Sequence, residues 1–269
     1  MFFKKKTDDA QQDLSQLPAV VVRDEDASGD IAIQFQNVTK TYKLFKNDKA
    51  RFKAAVLGST DCKTVNANND LTFTVKRGEG VAFLGFNGAG KSTTLKIITG
   101  VVHPTHGRVE VHGRVGALLE LQAGFDMQLT GRENIWFRGQ IWGLSNQEIA
   151  ELEPKVVEFA ELGDYIDQPM RTYSSGMKAR LGFAFVSSIK PDILIVDEAL
   201  AVGDRRFNRK CLERVREIMS DQRVTVLFVT HSNAYAKEFC QKGIVLDKGT
   251  ALFEGDINEA LGFYKERQQ

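Results

Sequence analysis

The stretch "GVAFLGFNGAGKSTTLKIITG", Gly80 to Gly100, decides the fold. Its apolar opening, "VAFL", is strand-like, and its end, "KSTTLKII", reads as a helix starting straight after a turn. Between them "GFNGAGKS", Gly85–Ser92, fits the pattern G-x-x-x-x-G-K-[ST] at every position. A glycine turn with an incidental lysine would not need a strand before it and a helix after it. Glycines let such a loop wrap closely around a phosphate, presenting backbone N–H groups and a helix N-terminus to the anion. Lys91 adds a mobile charge for β and γ phosphates, and the Ser92 hydroxyl suits Mg²⁺. Gly85, Asn87, Gly88, Ala89, Gly90, Lys91, Ser92 and Thr93 are therefore candidate contacts of a nucleoside triphosphate.

Two further segments narrow the chemistry. "DILIVDEA" puts Asp197 and Glu198 at the end of an apolar strand. In a protein with this loop, an acid there holds Mg²⁺. Glu198, one residue on, reaches the attacking water as its base, a role worth ~10²–10⁴-fold in rate. "RVTVLFVTHS" ends a second buried strand at His231, placed for a γ-phosphate contact. Glu198, His231 and Lys91 form the candidate catalytic set. Both strands are apolar throughout rather than alternating, as parallel strands covered on both faces are.

The remaining text supplies the frame. "IAIQFQNV" from Ile31 has period two, and "LTFTV" and "GVAFLG" are strands parted by "KRGEG". Residues 127–188 read mainly as helices. The expected fold is α/β: a parallel sheet, an antiparallel β region and an inserted helical subdomain at about 127–188. Residues 1–30, polar and mixed in charge, are expected to be a flexible extension, and 31–269 the folded domain.

Composition excludes other classes. Lys+Arg 36 against Asp+Glu 35 gives a net charge of +1, which offers nucleic acid no bulk attraction. Cys62, Cys211 and Cys240 lie far apart, the pattern of a reduced compartment rather than a zinc site or disulfide framework. No apolar run approaches the roughly 18 residues of a membrane span, and "MFFKKKTDDAQQDLSQLP" lacks the apolar core of a secretory signal.

One segment is left without a local task. In "MRTYSSGMKARLGFAFV", from Met170, Ser174, Ser175 and Gly176 open a helix too apolar for the surface. A serine N-cap explains the helix start but not the glycine; small residues leave N–H groups bare for an anion. With the other motifs, this segment makes Ile31 to Phe263 resemble the nucleotide-binding subunit of an ATP-binding cassette transporter.

The resemblance implies that Ser174, Ser175 and Gly176 of one copy close over the γ-phosphate held by another, two ATP molecules being sandwiched in a homodimer. It implies adenine stacking on Tyr42, a cross-dimer loop "ALAVGD" ending at Asp204, and two copies of a polytopic permease, with this subunit peripheral on the cytoplasmic face of the membrane. Either Glu120 or Gln122 takes the place of the family's Mg²⁺-sensing glutamine; Gln122 joins Ser92 and Asp197 in the implied metal set. The common Leu-Ser-Gly-Gly-Gln signature is replaced by Tyr173-Ser174-Ser175-Gly176-Met177, so only Ser174 and Gly176 coincide.

Together "YSSGMKARLGFAF", "ALLELQAGF", "LTGRENI" and "DEALAVGD" resemble the branch that exports wall teichoic acids, capsules and O-antigens, with the teichoic acid exporters nearest. In that branch a basic helix faces the membrane subunit. "LFKNDKARFKAAVLG" takes that place, with Phe45, Phe52 and Val56 on one face. A soluble cassette acting on DNA or ribosomes would bring long heptad runs or a second phosphate loop, and neither is present. A small-molecule kinase would explain the loop but not the serine segment.

Overall fold

A computed structural model describes residues 19–24, 29–57, 62–118, 124–197, 204–221, 223–230 and 232–267. Two sheets form its centre. The larger has six strands in the order β10 (Thr250–Asp256), β9 (Lys242–Asp247), β4 (Gly80–Leu84), β8 (Thr225–Val229), β7 (Ile193–Val196), β6 (Val115–Ala117). All neighbours are parallel except β9 and β10, which form an antiparallel hairpin at one edge. The smaller sheet runs β1 (Val20–Asp24), β5 (His106–His112), β2 (Ile31–Leu44), β3 (Lys63–Lys76).

The apolar strands of the larger sheet feed two cores, one on each face. Val81 and Phe83 of β4 join Phe35, Phe73 and Val109 in the core between the sheets. Ala82 and Leu84 point the other way, towards Phe183, Phe185 and Phe228. β7 divides likewise: Ile193 and Ile195 to one side, Leu194 and Val196 to the other. Burial on both faces is why these strands carry no polar alternation, at roughly 1.5–3 kcal/mol for each large side chain.

Three helices fall in the stretch 127–188: α3 (Gly131–Ile141), α4 (Asn146–Ala160) and α5 (Ser175–Ser188). Thr130 with Glu133 and Ser145 with Glu148 form capping boxes that set where α3 and α4 begin. Two single-turn 3₁₀ segments, Gly163–Asp167 and Met170–Thr172, lead into α5.

Two places depart from the sequence reading. Within the stretch expected to be a flexible extension, Val20–Asp24 forms β1, paired in parallel with β5. Three successive valines favour an extended chain, Val21 packs on the inter-sheet core, and Arg23 donates to the carbonyls of Ile97 and Ile98 at 2.8 Å each. The basic helix α1 (Asp48–Leu57) starts beyond Phe45, so Phe45 cannot share its face; Phe52 stands 71% exposed.

Candidate active site

The parallel pairing brings three strand ends to one edge. Phe83 of β4 lies opposite Val229 of β8, and Val196 of β7 opposite Phe228. The loop after β4, Asp197 after β7 and Thr230 after β8 therefore open at the carboxyl edge of the sheet, where α/β sheets bind ligands. Asp192, at the opposite end of β7, instead accepts from the Arg114 N–H at 2.8 Å.

The loop after β4 keeps a shape only glycine allows at two points. Gly85 has φ +151° and Gly90 +103°; a Cβ would run into the carbonyl oxygen of Leu246 at the first and of Ala67 at the second. Gly90 is the N-cap of α2 (Lys91–Ile98) and has no side chain to cap it. No side chain caps the first turn of α2, which opens on the loop. Lys91 folds its ammonium back onto the carbonyls of Gly85 and Phe86, the latter at 3.1 Å.

Residues 86–93 wall a cavity of about 390 Å³. Val65, Asn66 and Ala67 of β3, with Asp197 and Val229, complete its lining. Hence Asn87, Gly88, Ala89, Gly90, Lys91, Ser92 and Thr93 share one cavity with Asp197, while Gly85 shapes the loop from just outside. The Ser92 hydroxyl and the Asp197 carboxylate are hard oxygen donors of the kind that suits Mg²⁺. Tyr42 lies one strand away, cross-paired with the cavity-lining Val65, with the Lys40 ammonium 5.2 Å from its ring centre. Glu198, His231, Gln122 and Glu120 lie outside the described residues.

Val65–Ala67 escaped the sequence reading because β3 begins eight residues before "LTFTV": the asparagines of "NANND" have poor strand propensity and hide its first half. Arg138 was also missed. With Lys96, Ser92 and Asp197 it lines a second cavity of about 340 Å³. Its guanidinium lies between the rings of Phe125 and Phe185 at 4.6 and 4.7 Å, is 8% exposed, and has no hydrogen-bond partner for Nη1 among the described residues. Burial pushes its pKa down to about 10. An arginine beside "ENIWF" on a helix carries no sequence signal of burial.

The serine segment lies elsewhere. Ser174 is the N-cap of α5 and accepts from the Met177 N–H at 3.2 Å. Among the described residues, none of Ser174, Ser175 and Gly176 lines the nucleotide-sized cavity. Among the described residues, Gly176 has no steric reason: the nearest atom to a Cβ there is the Ser174 hydroxyl at 3.9 Å. Below the segment, Tyr173 is buried and donates its hydroxyl to the Tyr165 carbonyl; burial pushes its pKa up to about 12. Asp204 caps α6 (Arg205–Ser220) and pairs with Arg180 of α5 at 2.7 Å, tying the two helices together.

The family model described as "ABC transporter" matches residues 68–201. The O-antigen export system ATP-binding protein RfbB of Klebsiella pneumoniae is 41% identical, over 87% of this chain and 97% of its own length. The chain belongs to the ATP-binding cassette transporter family. The teichoic acids export ATP-binding protein TagH of Staphylococcus haemolyticus is 39% identical over 88% of this cassette and 89% of its own length. TagH of Bacillus anthracis is 42% identical, but the match spans 42% of that protein. Among solved structures, a dimeric ATP-binding cassette in a post-hydrolysis state bound to ADP and Pi has a TM-score of 0.67, at 22% identity over 84% of this chain and 98% of that one. An ATP-binding subunit of an ABC transporter has a TM-score of 0.68, at 24% identity over 88% and 95%. The cassette is accordingly an ATPase with the P-loop α/β fold. Among its described residues, no helix is long and apolar enough to cross a membrane.

Proposed function

We propose that this cassette is the ATP-hydrolysing subunit of an exporter that moves a lipid-linked cell-surface polymer across the cytoplasmic membrane, with wall teichoic acid as the polymer. One observation carries the reading: near-full-length identity of about two residues in five to ATP-binding proteins of teichoic acid and O-antigen export. The text "EFAELGDYIDQPMRTYSSGM" favours teichoic acid. The match to RfbB over 97% of its length supports O-antigen as the second reading.

In this reading ATP lies along the cradle of residues 86–93, its adenine towards Tyr42 and its terminal phosphates under Lys91 and the N-terminus of α2. Ser92, Asp197 and either Gln122 or Glu120 would hold Mg²⁺, which when bound neutralises charge on the phosphate oxygens. Glu198 takes the proton of the attacking water and His231 contacts the γ-phosphate. Ser174, Ser175 and Gly176 of a second copy complete the pocket. ATP drives closure because it touches both faces only in the closed homodimer. Opening after hydrolysis resets two copies of a polytopic permease, with the cassette held peripherally on the cytoplasmic face.

The test is to isolate the cassette from membranes in mild detergent and to deplete it in its host. A co-purifying polytopic subunit and lipid-linked polymer trapped inside the cell are the expected results, and the sugar and phosphate content of that polymer separates teichoic acid from O-antigen. Isolation with nucleic acid or ribosomes alone would overturn the export reading.

A further inference from the structure

The back of the nucleotide cradle carries a polar chain in a place built for apolar packing. Asn68 of β3 and Thr94 of α2 are both 0% exposed, among Leu95, Ile97 and Leu71 of the inter-sheet core. The Asn68 amide Nδ2 donates to the Thr94 hydroxyl at 2.8 Å, and that hydroxyl donates to the Gly90 carbonyl at 3.1 Å. The direction is fixed by chemistry. A hydroxyl that donates to a carbonyl must accept from its other neighbour, so the amide presents its NH₂ group. The other half of the amide, Oδ1, has no hydrogen-bond partner among the described residues.

A buried orphan acceptor costs more than the single hydrogen bond beside it returns. Two apolar residues of similar size would serve this core better. Stability therefore does not explain the pair, whereas its position does. Gly90 is the glycine that precedes Lys91 and caps α2, and a Cβ on it would sit 3.2 Å from Asn68 Nδ2. The turn at Gly249 completes the fastening: its N–H donates to the Ala89 carbonyl and its carbonyl accepts from the Asn69 N–H, both at 2.9 Å. The same strand β3 carries Val65–Ala67, which line the cavity beside the loop, the Ala67 carbonyl oxygen standing against the place a Gly90 Cβ would take. The fastening thus joins the loop to the strand that shares the cavity lining with it.

We propose that Asn68 and Thr94 are positioning residues for ATP: the relay Asn68–Thr94–Gly90 locks the phosphate loop to β3 and so presets the spacing between these two parts of the cavity lining. A cradle already held in its bound shape spends no binding energy on ordering itself. The inference rests on the nucleotide reading of the loop and is independent of which polymer is exported.

Equilibrium binding of a fluorescent ATP analogue, the KM and kcat of ATP hydrolysis, and the melting temperature test it together. Thr94→Val keeps the shape and removes the hydroxyl; it is expected to weaken ATP binding and raise KM about five-fold, with kcat within about two-fold. Thr94→Ser keeps the hydroxyl and deletes a buried methyl; it is expected to melt earlier yet bind ATP as the wild type does. The double variant Asn68→Leu with Thr94→Val refills the core and is expected to recover the melting temperature while its KM stays raised. Affinity that tracks melting temperature across the three variants would reduce the pair to packing and overturn the proposal. So would wild-type KM in Thr94→Val. Absence of ATP binding by the wild type would remove the nucleotide reading itself, a different failure.

Discussion

Among the described residues, the N-termini of α2 and α5 are built in opposite ways. α2 begins at Gly90, in a left-handed conformation with no side-chain cap, inside a cavity of about 390 Å³ walled by its own loop and by β3. α5 begins at Ser174, whose hydroxyl already accepts from the Met177 N–H, and among the described residues its opening serines line no part of that cavity. The first end is unfinished chemically but complete in shape. The second is capped by its own serine but open in shape, with a glycine at 176 that nothing among the described residues requires. In the proposed reading ATP completes the α2 end, and a second copy of the cassette completes the α5 end. This difference separates a site made by folding from one made by assembly.

The largest expected effect breaks the comparison at the chemical step. Glu198→Gln removes the proposed proton acceptor without removing the cradle, so ATP binding is expected to persist while turnover falls by ~10²–10⁴-fold. With hydrolysis stopped, the species that engages both helix ends accumulates, and size exclusion in ATP is expected to show a stable dimer. Wild-type turnover in this variant would take Glu198 out of the mechanism. A strictly monomeric, ATP-loaded variant would leave the α5 end without its proposed partner.

A second experiment acts on α5 alone. Ser174→Arg places a long side chain over the exposed helix end, beside the open space at Gly176. Nucleotide affinity of the isolated subunit is expected to stay within about two-fold, because α2 and its cavity are untouched, while ATP-driven dimerisation is lost. Light scattering with and without ATP reads the outcome. Normal dimerisation would mean that the two ends do not meet.

The same contrast explains what was legible in the sequence. The α2 end is written in contiguous text: strand, glycines, Lys91 and Ser92 follow one another, and each has a local physical reason. The carboxyl-edge placement of Asp197 was legible too, because β7 is apolar on both faces and ends sharply at an acid. What the text hid was whatever depends on distant chain. Val65–Ala67 become a cavity wall only because β3 runs eight residues further than its apolar half. Arg138 is buried only because Phe125 and Phe185, from two other segments, close on its guanidinium. Val20–Asp24 orders only where β5 offers an edge and α2 offers the carbonyls of Ile97 and Ile98 to Arg23. For α5 the sequence showed small residues at a helix mouth and a serine fit to cap it, but their exposure is a three-dimensional fact.

The smallest expected effect tests whether Ser174 has a folding role apart from any partner. As an N-cap it satisfies the Met177 N–H, so Ser174→Ala is expected to cost about 1 kcal/mol, or about 2–4 °C in melting temperature for a domain of this size. Ser174→Gly leaves that N–H to water and keeps the end narrow, and is expected to cost only a few tenths of a kcal/mol. The two substitutions separate capping from assembly. If the serine acts only as a cap, the alanine variant melts earlier while both variants still dimerise with ATP. If its hydroxyl also meets the second copy's nucleotide, both variants dimerise more weakly, and the glycine variant does so with nearly unchanged stability.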